Sequence, residues 1–287
     1  MKIDLKLPNK HIQQMSNQKV WGKGEIVRKT RVYDALLQDK LVDVFRIKYR
    51  SDGLLVTGFL LQPQKLKTAL PLIIFNRAGN RETALIGVRT LRYLSSFAEQ
   101  NYVVLASQYR GNDGGEGREA FGGEDINDVL NLIDVAKSLD YVDAQRIAML
   151  GYSRGGMMTF LAMKEGAPLK AAAVVGAPTD LTQTYEERDD LKPDLIELVG
   201  GSPQGNRDAY FERSACYWPE KLEAPLLILH GDKDWRVDVS QSRKLVEKLI
   251  KLNARHKYVE FPGADHNLST ERKKRDALIL QWFAKYV

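Results

Sequence analysis

Gly151-Tyr152-Ser153-Arg154-Gly155 places a serine between two glycines, directly after the apolar run Ile147–Leu150. A sharp strand-to-helix turn needs glycines there because a neighbouring Cβ would crowd it, and the turn would hold Ser153 in a strained backbone region with its hydroxyl above a sheet. A serine hydroxyl is a weak nucleophile at neutral pH, so attack on an acyl carbon requires a histidine base and a carboxylate that orients it. The sequence has four histidines. His11 and His230 precede or flank the wrong elements, and His256 sits in the basic connection Ala254-Arg255-His256-Lys257. His266 ends the loop Phe261-Pro-Gly-Ala-Asp-His266. In a parallel sheet that loop opens at the same edge as the serine turn, which selects His266 over a solvated loop histidine. The carboxylate must come from His230-Gly-Asp-Lys-Asp-Trp-Arg-Val237 or just beyond, which offers Asp232, Asp234 and Asp238. Asp232 suits a turn and Asp238 a helix start, so Asp234 is assigned as the orienting acid.

These three residues can meet only if strands deliver them to one edge, and the periodicity supplies such strands. Phe45–Tyr49 and Leu54–Leu61, separated by Arg50-Ser-Asp-Gly53, predict a hairpin, because Asp-Gly accommodates positive φ. Leu70–Phe75 and Tyr102–Ala106 are short apolar runs of the kind expected for buried parallel strands, with an amphipathic helix over about Thr90–Gln100 between them. After the Gly-rich loop Gly111–Gly123, a helix over about Glu124–Leu139 places Ile126, Val129, Leu130 and Ile133 on one stripe. Further strands are predicted at Arg146–Leu150, Ala171–Val175, Pro225–Leu229 and Lys257–Phe261, with helices from Gly155, over Ser240–Leu252 and over Thr270–Tyr286. This rhythm predicts an α/β fold, a mostly parallel sheet with helices on both faces. It breaks once, between Leu181 and Lys221, where Pro193, Gly200-Gly201 and Pro203 mark an insertion too long for a simple connection. A cap over the sheet is expected there, within one domain over 46–287 that follows a basic segment at 1–45 packing on it.

The run Ser214–Val237 closely resembles the segment around the acidic triad residue of prolyl oligopeptidase family catalytic domains, and Tyr109-Arg-Gly-Asn-Asp-Gly-Gly-Glu-Gly117 is similar to their Gly-rich loop. The resemblance runs from about Lys48 to the C-terminus. It implies an α/β-hydrolase fold, with Ser153 as nucleophile, Asp234 as orienter and His266 as base, the same three residues selected by fold order. Members of this family usually carry a β-propeller before the hydrolase domain, and the roughly 50 residues ahead of the resemblance cannot make two blades. Many have tyrosine after the nucleophile and another tyrosine donating to the oxyanion; here Arg154 and Arg77 stand in the corresponding segments. The resemblance therefore does not carry proline specificity over to this sequence. Backbone N–H groups of Arg154 and of Arg77 or Ala78 can still hold an oxyanion, since such donors do not depend on side-chain identity; the Arg77 side chain itself would then be a solvated loop charge.

Composition bounds the remaining possibilities. Of 287 residues, 44% are hydrophobic and 28% charged, enough for a sizeable core. The net charge of +6 is set by residues 1–50, whose 12 basic and 5 acidic side chains give +7, while the body's 31 and 32 give −1. Those basic residues are scattered among Ile3, Leu5, Trp21, Val27 and Val44 without a run or stacking aromatics, so no nucleic-acid partner is expected. Met1–Asn17 lacks a signal-type apolar block and no later segment approaches about 18 apolar residues, so no membrane partner is expected. With one cysteine, Cys216, a cytoplasmic location is the expectation. Gly115-Glu-Gly-Arg-Glu-Ala120 fits a dinucleotide fingerprint, but helical periodicity starts only near Glu124, where no helix N-terminus would meet a pyrophosphate. No cofactor and no metal are expected. Tyr185, Trp218 and Trp235 are candidates for an apolar acyl pocket, and Glu186 and Glu187, in an acidic stretch of the cap, for holding a substrate ammonium. The expected activity is cofactor-independent cleavage of a small ester or a short peptide or amide. The competing readings are a carboxylesterase without peptidase activity and a non-catalytic binding module on the same fold.

Overall fold

The computed structural model describes residues 24–33, 37, 41–66 and 68–287. His11 and most of the basic segment lie outside the described residues. The first strands are antiparallel: β1 (Ile26–Arg31), β2 (Val42–Ser51) and β3 (Leu54–Pro63). Asp52 and Gly53 both have positive φ, 51° and 82°, the combination a two-residue hairpin turn requires. Pairing of β2 with β3 runs without a break from Val42 to Ser51, so residue 45 lies inside a strand, and β1 ahead of it pairs with β2 in the same sheet.

From there the chain alternates. β4 (Leu70–Asn76), α1 (Val88–Ala98), β5 (Val103–Ser107), α2 (Ile126–Lys137), β6 (Val142–Tyr152), α3 (Arg154–Lys164) and β7 (Ala171–Val175) come before the insertion. β8 (Leu226–Gly231), α7 (Val239–Lys251), β9 (His256–Phe261) and α8 (Arg272–Tyr286) follow it. Among the described residues the strands form one sheet in the order β1-β2-β3-β5-β4-β6-β7-β8-β9, parallel from β5 onward. Every residue of β5, β7 and β8 is buried, because helices cover both faces. One face packs α1 and α8 through Leu91, Leu94, Phe97, Ile279 and Phe283. The other packs α2, α3 and α7 through Val129, Ile133, Met157, Phe160, Leu245 and Leu249.

The insertion folds as α4 (Leu181–Glu187), α5 (Lys192–Val199), α6 (Arg207–Glu212) and two short 3-10 turns. Asp180 caps α4 by accepting from the N–H groups of Thr182 and Gln183. Leu195, Leu198, Tyr210 and Trp218 are buried in the same core as α2, α3 and α7, so the cap shares the domain's core. Since β4 and β6 to β9 run parallel, the loops after them all emerge at one edge of the sheet, beneath this cap.

Candidate active site

Ser153 lies between β6 and α3 at φ 52° and ψ −125°, a region that costs an L-residue energy and persists only where its surroundings enforce it. The enforcement is visible in the flanking glycines. A Cβ on Gly155 would lie 1.9 Å from the Asn76 carbonyl oxygen, and one on Gly151 would lie 2.1 Å from the Gly155 carbonyl oxygen. The Ser153 N–H donates to the Val175 carbonyl at 2.8 Å, tying the turn to β7. Arg154 begins α3, where first-turn N–H groups have no intrahelical acceptor.

His266 follows β9 and is buried, and its ring packs against Gly176, where a Cβ would sit 2.9 Å from Nδ1. His266 Nδ1 is 2.7 Å from Oδ2 of Asp234. The other carboxylate oxygen, Oδ1, accepts the backbone N–H groups of Arg236 at 2.8 Å and Val237 at 3.0 Å. Oδ2 also lies 3.0 Å from Nε2 of the fully buried His230. That Nε2 is 2.9 Å from the Val237 carbonyl, which can only accept, so it carries the proton, and Nδ1 pairs with the Ser242 hydroxyl at 2.6 Å. Burial alone would push the Asp234 carboxyl up, but donors from His230, His266 and Val237 outweigh it and hold Asp234 well below the usual carboxylate range. Asp234 is thus a fixed anion, and the proton of His266 is directed to Nδ1, leaving Nε2 as the acceptor. Asp232 instead accepts the Gly263 N–H, and Asp238 caps α7.

Ser153, His266, Ala78 and Arg154 all line one cavity of about 550 Å³ under the cap. The Arg77 side chain is not the solvated loop charge expected of it. It is 1% exposed and donates to the carbonyls of Gln108, Ala78, Thr83 and Arg81 at 2.9 to 3.1 Å, which fixes the loop carrying Ala78. The Arg154 side chain is buried as well. It lies between the rings of Tyr109 and Phe121, donates to the Gly79 carbonyl at 3.0 Å, and pairs with Glu119 at 2.8 Å and with Asp125. Burial alone would lower its pKa, but the two carboxylates raise it.

None of the five side chains expected to contact substrate, Tyr185, Glu186, Glu187, Trp218 and Trp235, lines this cavity. Tyr185 packs edge-on against Tyr210, and Trp218 is buried with its Nε1 donating to the Phe211 carbonyl. Trp235 is 66% exposed between the guanidinium groups of Arg188 and Arg236. Glu186 and Glu187 face solvent. α4 turns Thr184 inward, and Arg188 one turn later, which carries Tyr185 to Glu187 away from the wall. The cap instead presents Thr184, Arg188, Asp190, Leu191 and Asp194. Asp190 pairs with Arg188, and Asp194 accepts from Asn80 at 2.7 Å and pairs with Arg81.

Sheet order, serine turn and cap define the α/β-hydrolase class. Pyrococcus horikoshii acylaminoacyl peptidase superposes with a TM-score of 0.74 at 22% identity, over 87% of this chain and 42% of that one. The prolyl oligopeptidase family profile matches residues 90–287. A Bacillus subtilis (strain 168) protein named uncharacterized peptidase YtmA is 36% identical over 220 residues, 76% of this chain and 83% of that protein. The same organism's uncharacterized peptidase YuxL is 28% identical over 82% of this chain, which spans only 38% of YuxL. The chain belongs to the prolyl oligopeptidase family and is a serine hydrolase. Among the described residues no helix is long and apolar enough to cross a membrane.

Proposed function

We propose that this enzyme cleaves a carboxylic ester or a short peptide or amide bond through an acyl-enzyme, with Ser153 as nucleophile, His266 as base and Asp234 as orienting acid. The observation that carries this reading is the 2.7 Å contact of His266 Nδ1 with Asp234, on a histidine that shares its cavity with the strained Ser153. Ser153 Oγ attacks the acyl carbon as its proton passes to His266 Nε2, and Asp234 stabilises the imidazolium so formed. The oxyanion is held by the Arg154 N–H and one from Ala78 or Arg77. His266 then protonates the leaving group, and water enters, releasing the acid and regenerating Ser153. Ester and short peptide substrates both fit a cavity of this size, and the wall's aspartates are already paired with arginines, so a free substrate ammonium is not required. A cytoplasmic location is part of this reading. The test is fluorophosphonate labelling followed by a panel of p-nitrophenyl esters and aminoacyl or prolyl amides. Labelling that maps to Ser153 and disappears in Ser153→Ala is the expected result; labelling that persists in that variant overturns the assignment.

A further inference from the structure

A second cavity, of about 460 Å³, adjoins the first, and Ala78, Ala84 and Asn267 line both. Its floor is aromatic, with Phe75, Tyr93 and Tyr152, and the two tyrosine hydroxyls hydrogen-bond each other at 2.8 Å. Its walls carry four guanidinium groups, Arg77, Arg89, Arg272 and Arg275, and no carboxylate. Arg77 is committed to backbone carbonyls, and Arg275 is held by the Asn267 carbonyl and Asp276 over the faces of Tyr93 and Tyr152. Arg89 and Arg272 are exposed and have no carboxylate partner among the described residues. Outside residues 1–50 the chain is almost neutral, so this concentration of positive charge is local.

The helix ends add to it. Arg89 stands in the first turn of α1, and the first turn of α8, after its N-cap residue Glu271, is Arg272-Lys273-Lys274-Arg275. Both N-termini are the positive ends of their helices, so cations there oppose the order that the backbone dipole favours. Guanidinium groups keep their charge at any working pH, and a cleft with an aromatic floor focuses their field.

We propose that this second cavity is an anion subsite of the active site, taking a carboxylate on the far end of a substrate that reaches past Ala78 from Ser153. The inference rests on the reading of Ser153 as nucleophile and names the class of substrate, an ester or amide with a remote acid group.

The experiment compares two matched pairs at low ionic strength. Mono-p-nitrophenyl suberate against its ω-carboxamide places the charge on the acyl side, and 4-(4-acetoxyphenyl)butyric acid against its carboxamide places it on the leaving side. In at least one pair, kcat/KM is expected to favour the acid by tenfold or more, with the ratio shrinking as salt is raised. In Arg89→Gln/Arg272→Gln that ratio should fall toward one. In Lys273→Gln, which removes a charge from the same helical turn but not from the cavity wall, the ratio should stay as in the wild type. Ratios near one in both wild-type pairs, a ratio untouched by the double substitution, or one lowered equally by Lys273→Gln would each overturn the subsite. Turnover of the neutral carboxamides with no acid preference overturns the subsite alone. Failure of every ester together with failure of fluorophosphonate labelling overturns the Ser153 reading too.

Discussion

Replacing Arg154 with methionine keeps the length and apolar bulk of the side chain and removes its charge. The guanidinium is 2% exposed and stands between Glu119 and Asp125, themselves 5% and 0% exposed. Removing one member of a buried ion pair costs about 3 to 5 kcal/mol, because the remaining charge stays buried without its partner. Here the lower end, about 3 kcal/mol, is expected. Glu119 keeps the Arg81 N–H and the Asn112 amide, and Asp125 keeps the Gly122 N–H. At about 2 to 4 °C per kcal/mol for a protein of 150 to 250 residues, the melting temperature should fall by roughly 6 to 12 °C. Activity should fall further than stability explains. The bond from Arg154 to the Gly79 carbonyl holds the loop that presents Ala78, and losing one oxyanion donor costs about 100 to 1000-fold in kcat. The assay is ester turnover at 20 °C, where the variant remains folded, alongside a thermal melt. A large fall in kcat with little change in KM is expected. The triple variant Arg154→Met/Glu119→Gln/Asp125→Asn should regain part of the melting temperature and none of the kcat. Arg154→Met with kcat within threefold of the wild type would refute the reasoning.

Ser153→Ala should lower turnover by about a million-fold, with Asp234→Asn milder, as in a triad that acts as a unit; Asp232→Asn should stay near wild type, and the reverse order for the two aspartates would move the acid. Gly155→Ala puts a Cβ into the Asn76 carbonyl, so soluble yield and melting temperature should collapse, and a variant that melts within 2 °C of the wild type would contradict the geometry of the turn. Asp234 has a depressed pKa, so it stabilises the folded state above its unfolded value near 4, and that contribution is lost as the pH falls toward the folded value. The stability gap between wild type and Asp234→Asn, from urea melts, should therefore narrow from pH 6 to pH 3, and a constant gap would count against it.

The serine turn was legible because its glycines and the apolar run before it are local in sequence, and the parallel strands because runs such as Val103–Ser107 are buried on both faces. β1 was not, since only Ile26 of its six residues is even partly buried and no apolar period survives. Placing His266 beside Asp234 required only the rule that parallel strands end at one edge. His230, set aside as flanking the wrong element, lies near the end of β8 and meets Asp234, Val237 and Ser242 across the β8 to α7 turn, contacts that spacing does not encode. The buried arginines 77 and 154 were unreadable for a related reason: their partners lie on the Gly-rich loop and on the chain's own carbonyls, contacts that carry no periodic signal. The five side chains expected at the substrate were chosen by their nearness in sequence to the cap and to Asp234, which does not determine the face of a short helix.

The sharing of one core between cap and domain bears on how molecules enter and leave. Swinging the cap aside would expose Leu195, Leu198, Tyr210 and Trp218 together with the helix faces they cover. At about 1.5 to 3 kcal/mol for each large apolar side chain, the cost is comparable with the 5 to 15 kcal/mol that holds a whole domain folded. Molecules that enter with the cap in place must pass between walls to which Arg188, Arg236 and residues of the 78–84 loop contribute. Admission then depends on a molecule's cross-section and on its charge beside those two arginines.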